Sequence, residues 1–240
     1  MFSSGINWFK FAAPQRFYAL TGTLIPYCVA IAVIATIIGL TIGLLIAPSD
    51  HQQGESYRII FIHVPAAWMS MVIYLAMAFW SILGLTFNTR LSGMMTRALA
   101  PTGAMFAFLS LWTGALWGKP MWGAWWVWDA RLTSELILLF LYLGYIALTR
   151  AIDDPRRADR AGAVVALVGV VNVPIIYFSV QWWNTLHQGA SVSLTKSPSM
   201  AAIMLWAMLV MTLAFWAYAV GMAFYRVRQT ILEREQDAAW

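Results

Sequence analysis

Leu24-Ile-Pro-Tyr-Cys-Val-Ala-Ile-Ala-Val-Ile-Ala-Thr-Ile-Ile-Gly-Leu-Thr-Ile-Gly-Leu-Leu-Ile46 runs without a single charged side chain. A helix rises 1.5 Å per residue, so about 20 apolar residues cross the roughly 30 Å hydrocarbon layer of a bilayer. This stretch therefore reads as a membrane span. Five more runs have the same character: Pro65–Phe87, Leu99–Trp117, Leu132–Thr149, Gly162–Val180 and Met200–Tyr225. The first span follows Lys10 and Arg16, as the apolar core of a signal peptide would. It is longer than such a core and five spans follow, so the sequence predicts a retained anchor.

The composition agrees. Of 240 residues, 61% are hydrophobic and 10% charged, against roughly 25% charged in soluble domains. Cys28 is the sole cysteine, which excludes a disulfide framework, a CxxC redox pair and a thiolate zinc cluster. No CxxCH occurs, so the chain is not itself a c-type cytochrome. The net charge of +5 does not indicate nucleic acid, because the basic residues are scattered between apolar runs.

Their scatter sets an orientation instead. Eleven of the 15 basic residues share one side if the amino terminus is cytoplasmic: Lys10, Arg16, Arg90, Arg97, Arg150, Arg156, Arg157, Arg160, Arg226, Arg228 and Arg234. Arg58, Lys119, Arg131 and Lys196 remain for the other side. The positive-inside bias predicts an all-α, six-span protein with both termini inside. Its outer loops run over Ala47–Val64, Gly118–Arg131 and Gln181–Ser199, and a charged inner tail covers 226–240. There is no internal repeat and no soluble domain, so residues 1–240 form one transmembrane domain and any chemistry belongs to helices and outer loops.

All three histidines, His51, His63 and His187, fall on the outer side. Pro65 suits the first turn of the second helix and leaves His63 just before it, at interfacial depth. His187, shortly after the fifth span, has a similar depth, whereas His51 lies in the polar stretch Ser49–Gly54 and is expected to be solvated. An interfacial histidine is either a ring hydrogen-bonded to a loop carbonyl or a metal ligand. Without cysteines or a carboxylate cluster, a metal here would have to bring its own equatorial ligands.

The second outer loop narrows this choice. Trp117, Trp122, Trp125, Trp126 and Trp128 crowd into one short stretch, and Trp122, Trp125 and Trp126 have the i, i+3, i+4 spacing of one helix face. An aromatic belt explains one or two rings per helix end. Five indoles make a platform for a flat, apolar, polycyclic ligand, a description that haem fits. Asp129 reads either as the N-cap of the fourth helix or as directed at a ligand. Arg131 either snorkels to water or, with Arg58, pairs with porphyrin propionates through the two-pronged guanidinium geometry. Glu135, a carboxylate one turn into a span, is costly and rarely idle, with no role legible in the sequence.

Trp122-Gly-Ala-Trp-Trp-Val-Trp-Asp-Ala-Arg-Leu-Thr133 resembles the tryptophan-rich WWD signature of haem-handling membrane proteins. With six spans and one histidine in each flanking outer loop, the whole chain resembles the cytochrome c maturation protein C (haem exporter C) family. That resemblance implies a non-covalent haem b held by two axial histidines, His63 and His187, at the periplasmic face of a bacterial inner membrane. It implies that the tryptophan loop with Asp129 presents haem to a membrane-anchored periplasmic haem chaperone. It also implies an ABC transporter, made of an ATPase subunit and a second membrane subunit, and a small single-span accessory protein as partners. It carries no role for His51.

Two imidazoles and four porphyrin nitrogens would saturate the iron, which favours holding over oxygen chemistry. No independent catalytic residue is evident. A b-type cytochrome carrying electrons across the bilayer would need histidines at the inner depth as well. A permease would need polar or broken helices at the midplane, where the sequence offers only Asn172 and Pro174.

Overall fold

Within a bilayer the backbone has no water to bond with, so apolar runs close their hydrogen bonds internally as helices. The computed structural model describes residues 13–185, 187, 189, 192 and 197–235. Lys10, Lys196 and residues 236–240 of the tail lie outside the described residues. The described elements are α1 (Pro14–Leu40), continued by a π turn at Thr41–Ile46; a 3-10 turn at Glu55–Ile59; α2 (Ile60–Phe87); α3 (Arg90–Trp122); α4 (Ala130–Ala151); α5 (Pro155–Gly169); α6 (Asn172–Trp182); and α7 (Ala202–Arg234). Six segments are long and apolar enough to cross a membrane: Pro14–Ile46, Glu55–Phe87, Arg90–Trp122, Ala130–Ala151, Pro155–Trp182 and Ala202–Arg234. They match the six expected spans and, except at the start of the last, reach to or beyond their expected ends.

Three local differences have physical causes. The fifth span is two helices, since Pro174 has no N–H to return to the Val170 carbonyl and Val173 N–H bonds that carbonyl instead, at 3.0 Å. The second helix begins earlier than Pro65 requires: the 3-10 turn leads straight into α2, so His63 lies inside the helix. The third helix continues to Trp122 and absorbs Pro120, so residues 118–122 are helical and the expected 118–131 loop shrinks to 123–129.

The core is built on α2, α3, α4 and α5, where Tyr74, Tyr142, Met77, Phe106 and Leu138 are fully buried. Tyr142 donates to Ser70 O of α2 at 2.6 Å. A Cβ at Gly103 would collide with the Tyr142 ring, so only glycine lets α3 and α4 approach here. Helix α1 lies on α7, with Tyr27, Ile34, Ile37 and Leu45 exposed on its outer face, as expected of a lipid-facing helix.

The bundle has two chemically distinct ends. At one, the last turns of α7 gather the starts of α1, α3 and α5: the Arg228 guanidinium lies 3.6 Å from the Tyr18 ring centre, Arg234 pairs with Asp159 at 2.6 Å and Arg90 with Glu235 at 2.8 Å. The histidines occupy the other end.

Candidate functional site

His63 projects from the first turns of α2 against α3 and is 7% exposed. Its Nδ1 lies 3.1 Å from Ser110 O and 3.0 Å from Thr113 Oγ1. A carbonyl oxygen only accepts, and the Thr113 hydroxyl donates to Leu109 O at 2.6 Å. Nδ1 therefore carries the hydrogen, and in the neutral ring Nε2 keeps its lone pair. A histidine that ligates a metal is oriented in this way, by a partner on its other nitrogen. Gly114 makes room, since a Cβ there would stand 3.2 Å from His63 Cε1. The Trp117 ring meets the imidazole edge to face at 5.6 Å, and its Nε1–H donates to Gln53 Oε1 at 3.0 Å. Gln53 is held in turn, its N–H donating to Asp50 Oδ1 at 2.8 Å. That bond is the largest cause keeping the Asp50 carboxyl below its ordinary range.

His187 arrives from the other direction, on the connection after α6. Its ring centre is 6.2 Å from that of His63, with the planes tilted by 35°, and 6.2 Å from the Trp122 ring. Two imidazoles carried by segments far apart along the chain thus meet at one place. Asp129 supports this approach in two ways. Its Oδ1 accepts the Leu132 N–H at 2.8 Å as the N-cap of α4, and its Oδ2 accepts the Thr185 hydroxyl. The N-cap reading of Asp129 thus holds through one oxygen, and the other is taken by Thr185.

Two small clefts flank the imidazoles, of about 30 and 70 Å³. His63, His187, Trp117 and Arg131 line both, and Trp122 and Glu135 line the smaller. Arg131 does not snorkel to water: its Nη1 donates to Ile176 O of α6 at 2.7 Å, which holds the guanidinium across the site. Glu135 is 5% exposed; its Oε1 accepts from Ser70 Oγ at 2.8 Å and its Oε2 has no hydrogen-bond partner among the described residues. Among the described residues no three His, Cys, Asp or Glu side chains gather to hold a metal ion. A metal at the two imidazoles would have to arrive with further ligands of its own.

Several expected site residues lie elsewhere. The guanidinium of Arg58 is engaged by Glu55 and by Gly43 O at 2.6 Å and lines neither cleft, because the 3-10 turn folds it back on α1. The expected helical face of Trp122, Trp125 and Trp126 does not form. Gly123 adopts a left-handed conformation (φ 76°) and its N–H closes on Lys119 O at 3.1 Å, ending the helix in the manner of a C-cap. Trp122 consequently faces His187, while Trp125 (55% exposed) and Trp128 (78% exposed) point outward. Trp126 packs against Trp128 at 5.3 Å and lines neither cleft. His51 is exposed. Ser110, Thr113, Gly114 and Thr185 are not legible as site residues in the sequence, because small or hydroxylated residues in an apolar helix carry no distinguishing pattern.

The fold and the site together define a class: a multi-pass helical membrane protein that brings two imidazoles from separate segments onto indole walls at one end of its bundle. The family model for Heme exporter protein C matches residues 7–240. Proteins named Heme exporter protein C are 46% identical over 232 residues in Escherichia coli K12, covering 96% of this chain and 93% of that one. In Bradyrhizobium diazoefficiens the identity is 50% over 223 residues, covering 93% and 84%. A ccmC-like mitochondrial protein of Marchantia polymorpha, named for a candidate role in cytochrome c biosynthesis, is 49% identical over 158 residues, covering 66% and 67%. The chain belongs to the Heme exporter protein C family.

Proposed function

We propose that this protein holds haem b non-covalently between His63 and His187 at the periplasmic face of a bacterial inner membrane and delivers it to a membrane-anchored periplasmic haem chaperone for cytochrome c maturation. The observation that carries this reading is the convergence of the two imidazoles, 6.2 Å apart. The names of the relatives support haem as the group concerned.

The residues present fit such a group in ligand type and wall chemistry. Haem, if bound, would supply an iron that takes imidazole nitrogens as ligands, and His63 and His187 are the residues that would hold it. His63 is oriented by Ser110 and Thr113 so that Nε2 is available. Trp117 and Trp122 give apolar walls, and Arg131 offers a guanidinium to a propionate. Arg58, tied to Glu55 and Gly43, takes a structural role in this reading. The clefts, about 30 and 70 Å³, are far below the 300–1,000 Å³ of ordinary ligand pockets, so holding a porphyrin requires their walls to stand further apart than they do here.

The outward rings of Trp125 and Trp128, close to the site but outside it, suit presentation to the chaperone. The basic end of the bundle faces the cytoplasm, with both termini inside. The ATPase and second membrane subunit of an ABC transporter and a small single-span protein complete the assembly. Against a permease path, Asn172 donates to Ser134 O at 2.8 Å and Pro174 kinks a helix, so both midplane candidates have structural roles.

Alanine variants test the assignment. His63→Ala and His187→Ala should purify with less haem than wild type, and His51→Ala with the same amount. Full haem content in both His63→Ala and His187→Ala would refute it.

A further inference from the structure

His187 lies between α6 and α7, where none of the described residues is helical, so its position depends on contacts to other elements. Three hydrogen bonds in series run from α4 to the main chain of His187. The Leu132 N–H donates to Asp129 Oδ1 at 2.8 Å. The Thr185 hydroxyl donates to Asp129 Oδ2. The His187 N–H donates to Thr185 Oγ1 at 3.0 Å. Every atom is used in keeping with its chemistry: an ionised carboxylate accepts on both oxygens, and a hydroxyl gives its one hydrogen while accepting on a lone pair. The last bond closes a local turn in which a threonine side chain accepts the amide two residues on.

We propose that Thr185 is the positioning residue for His187, and that Asp129 acts on the site through it. The Asp129 carboxylate belongs to the rigid start of α4, the element that also carries Arg131 and Glu135 into the clefts. Thr185 transmits that position to the backbone of residue 187, and hence to a ring that meets His63 and Trp122. The tether fixes the second imidazole against the same helix that supplies the guanidinium, so both contacts to a bound group share one frame. This inference rests on the reading of His63 and His187 as the haem ligands.

The test uses the full chain in detergent and has one arm without haem. In the haem-free protein, carbethoxylation of His187 by diethyl pyrocarbonate is followed by mass spectrometry, with the exposed His51 as internal reference. Thr185→Val removes a charge-assisted bond and should raise the His187 rate about tenfold, the ratio equivalent to ~1.4 kcal/mol. Thr185→Ser should match wild type. Asp129→Asn, which can serve only one of the two donors as an acceptor, should raise the rate similarly. The double variant Asp129→Asn/Thr185→Val should rise no further than either single one, as coupled residues do. In the second arm haemin is added: wild type and Thr185→Ser should give a six-coordinate low-spin spectrum, and Thr185→Val a high-spin fraction. A wild-type His187 rate in Thr185→Val, or multiplied effects in the double variant, overturns the proposal. If wild type takes up no haemin, the site reading fails while the haem-free arm still decides the tether. If wild type is low-spin and the His187 rates do not respond, the tether fails and the site reading stands.

Discussion

His63 owes its orientation to α3 as much as to its own helix. Ser110 O and Thr113 Oγ1 fix the proton on Nδ1, and Gly114 leaves the space in which Cε1 rests. Outer-shell partners of a ligating histidine are typically worth 10- to 100-fold in affinity, so Thr113→Val should weaken haemin binding by roughly that range without unfolding the protein. Gly114→Val, which forces the ring off its seat, should weaken it at least as much. A spectrophotometric haemin titration measures both. The histidines themselves stand out in the sequence by their similar depth on one side, although Pro65 suggests a helix start that leaves His63 outside the helix it in fact belongs to. Gly114 and Thr113 do not, because their contact with His63 spans about fifty positions and depends on how α2 lies on α3. Arg58 departs from its expected place for a related reason: its sequence neighbours do not reveal that the turn folds it onto Gly43 O.

The segment between α3 and α4 takes a shape that its tryptophan spacing does not predict. The concentration of indoles begins beside the two imidazoles, but the i, i+3, i+4 spacing implies a helix that the left-handed Gly123 terminates. The result sorts the rings into two groups. Trp117 and Trp122 line the clefts, whereas Trp125 and Trp128 face outward. Trp125→Ala and Trp128→Ala should therefore leave haem content near wild type while lowering haem transfer to the proposed chaperone, measured in the same membranes. Trp117→Ala empties a buried site and should cost about 3–5 kcal/mol of stability as well as haem. The kink between α5 and α6 is likewise hidden: Pro174 reads from sequence as a polar-path candidate, and its missing donor instead divides the span. Asn172→Val removes the side-chain hydrogen bond to Ser134 O and should lower stability by about 1 kcal/mol, seen as a lower thermal midpoint in detergent, with haem content retained.

At the scale of the whole molecule, six apolar helices with a basic end and a histidine end are readable from hydropathy and charge alone, since lipid leaves a chain few alternatives to helices. The pairing of α1 with α7 and the gathering of three helix starts by the last turns of α7 are not, because ion pairs such as Arg234–Asp159 join residues with no sequence relation. The proposed orientation predicts that, in a Cys28→Ser background, Lys119→Cys is labelled by an impermeant maleimide from outside intact cells and Arg157→Cys only after permeabilisation. The central claim is that two imidazoles from separate segments hold one iron. Electron paramagnetic resonance of the ferric, detergent-purified wild-type protein tests it most directly. A low-spin signal of the bis-imidazole type, lost in His187→Ala, is the predicted result; a high-spin signal in wild type, or a low-spin signal that survives His187→Ala unchanged, would contradict it.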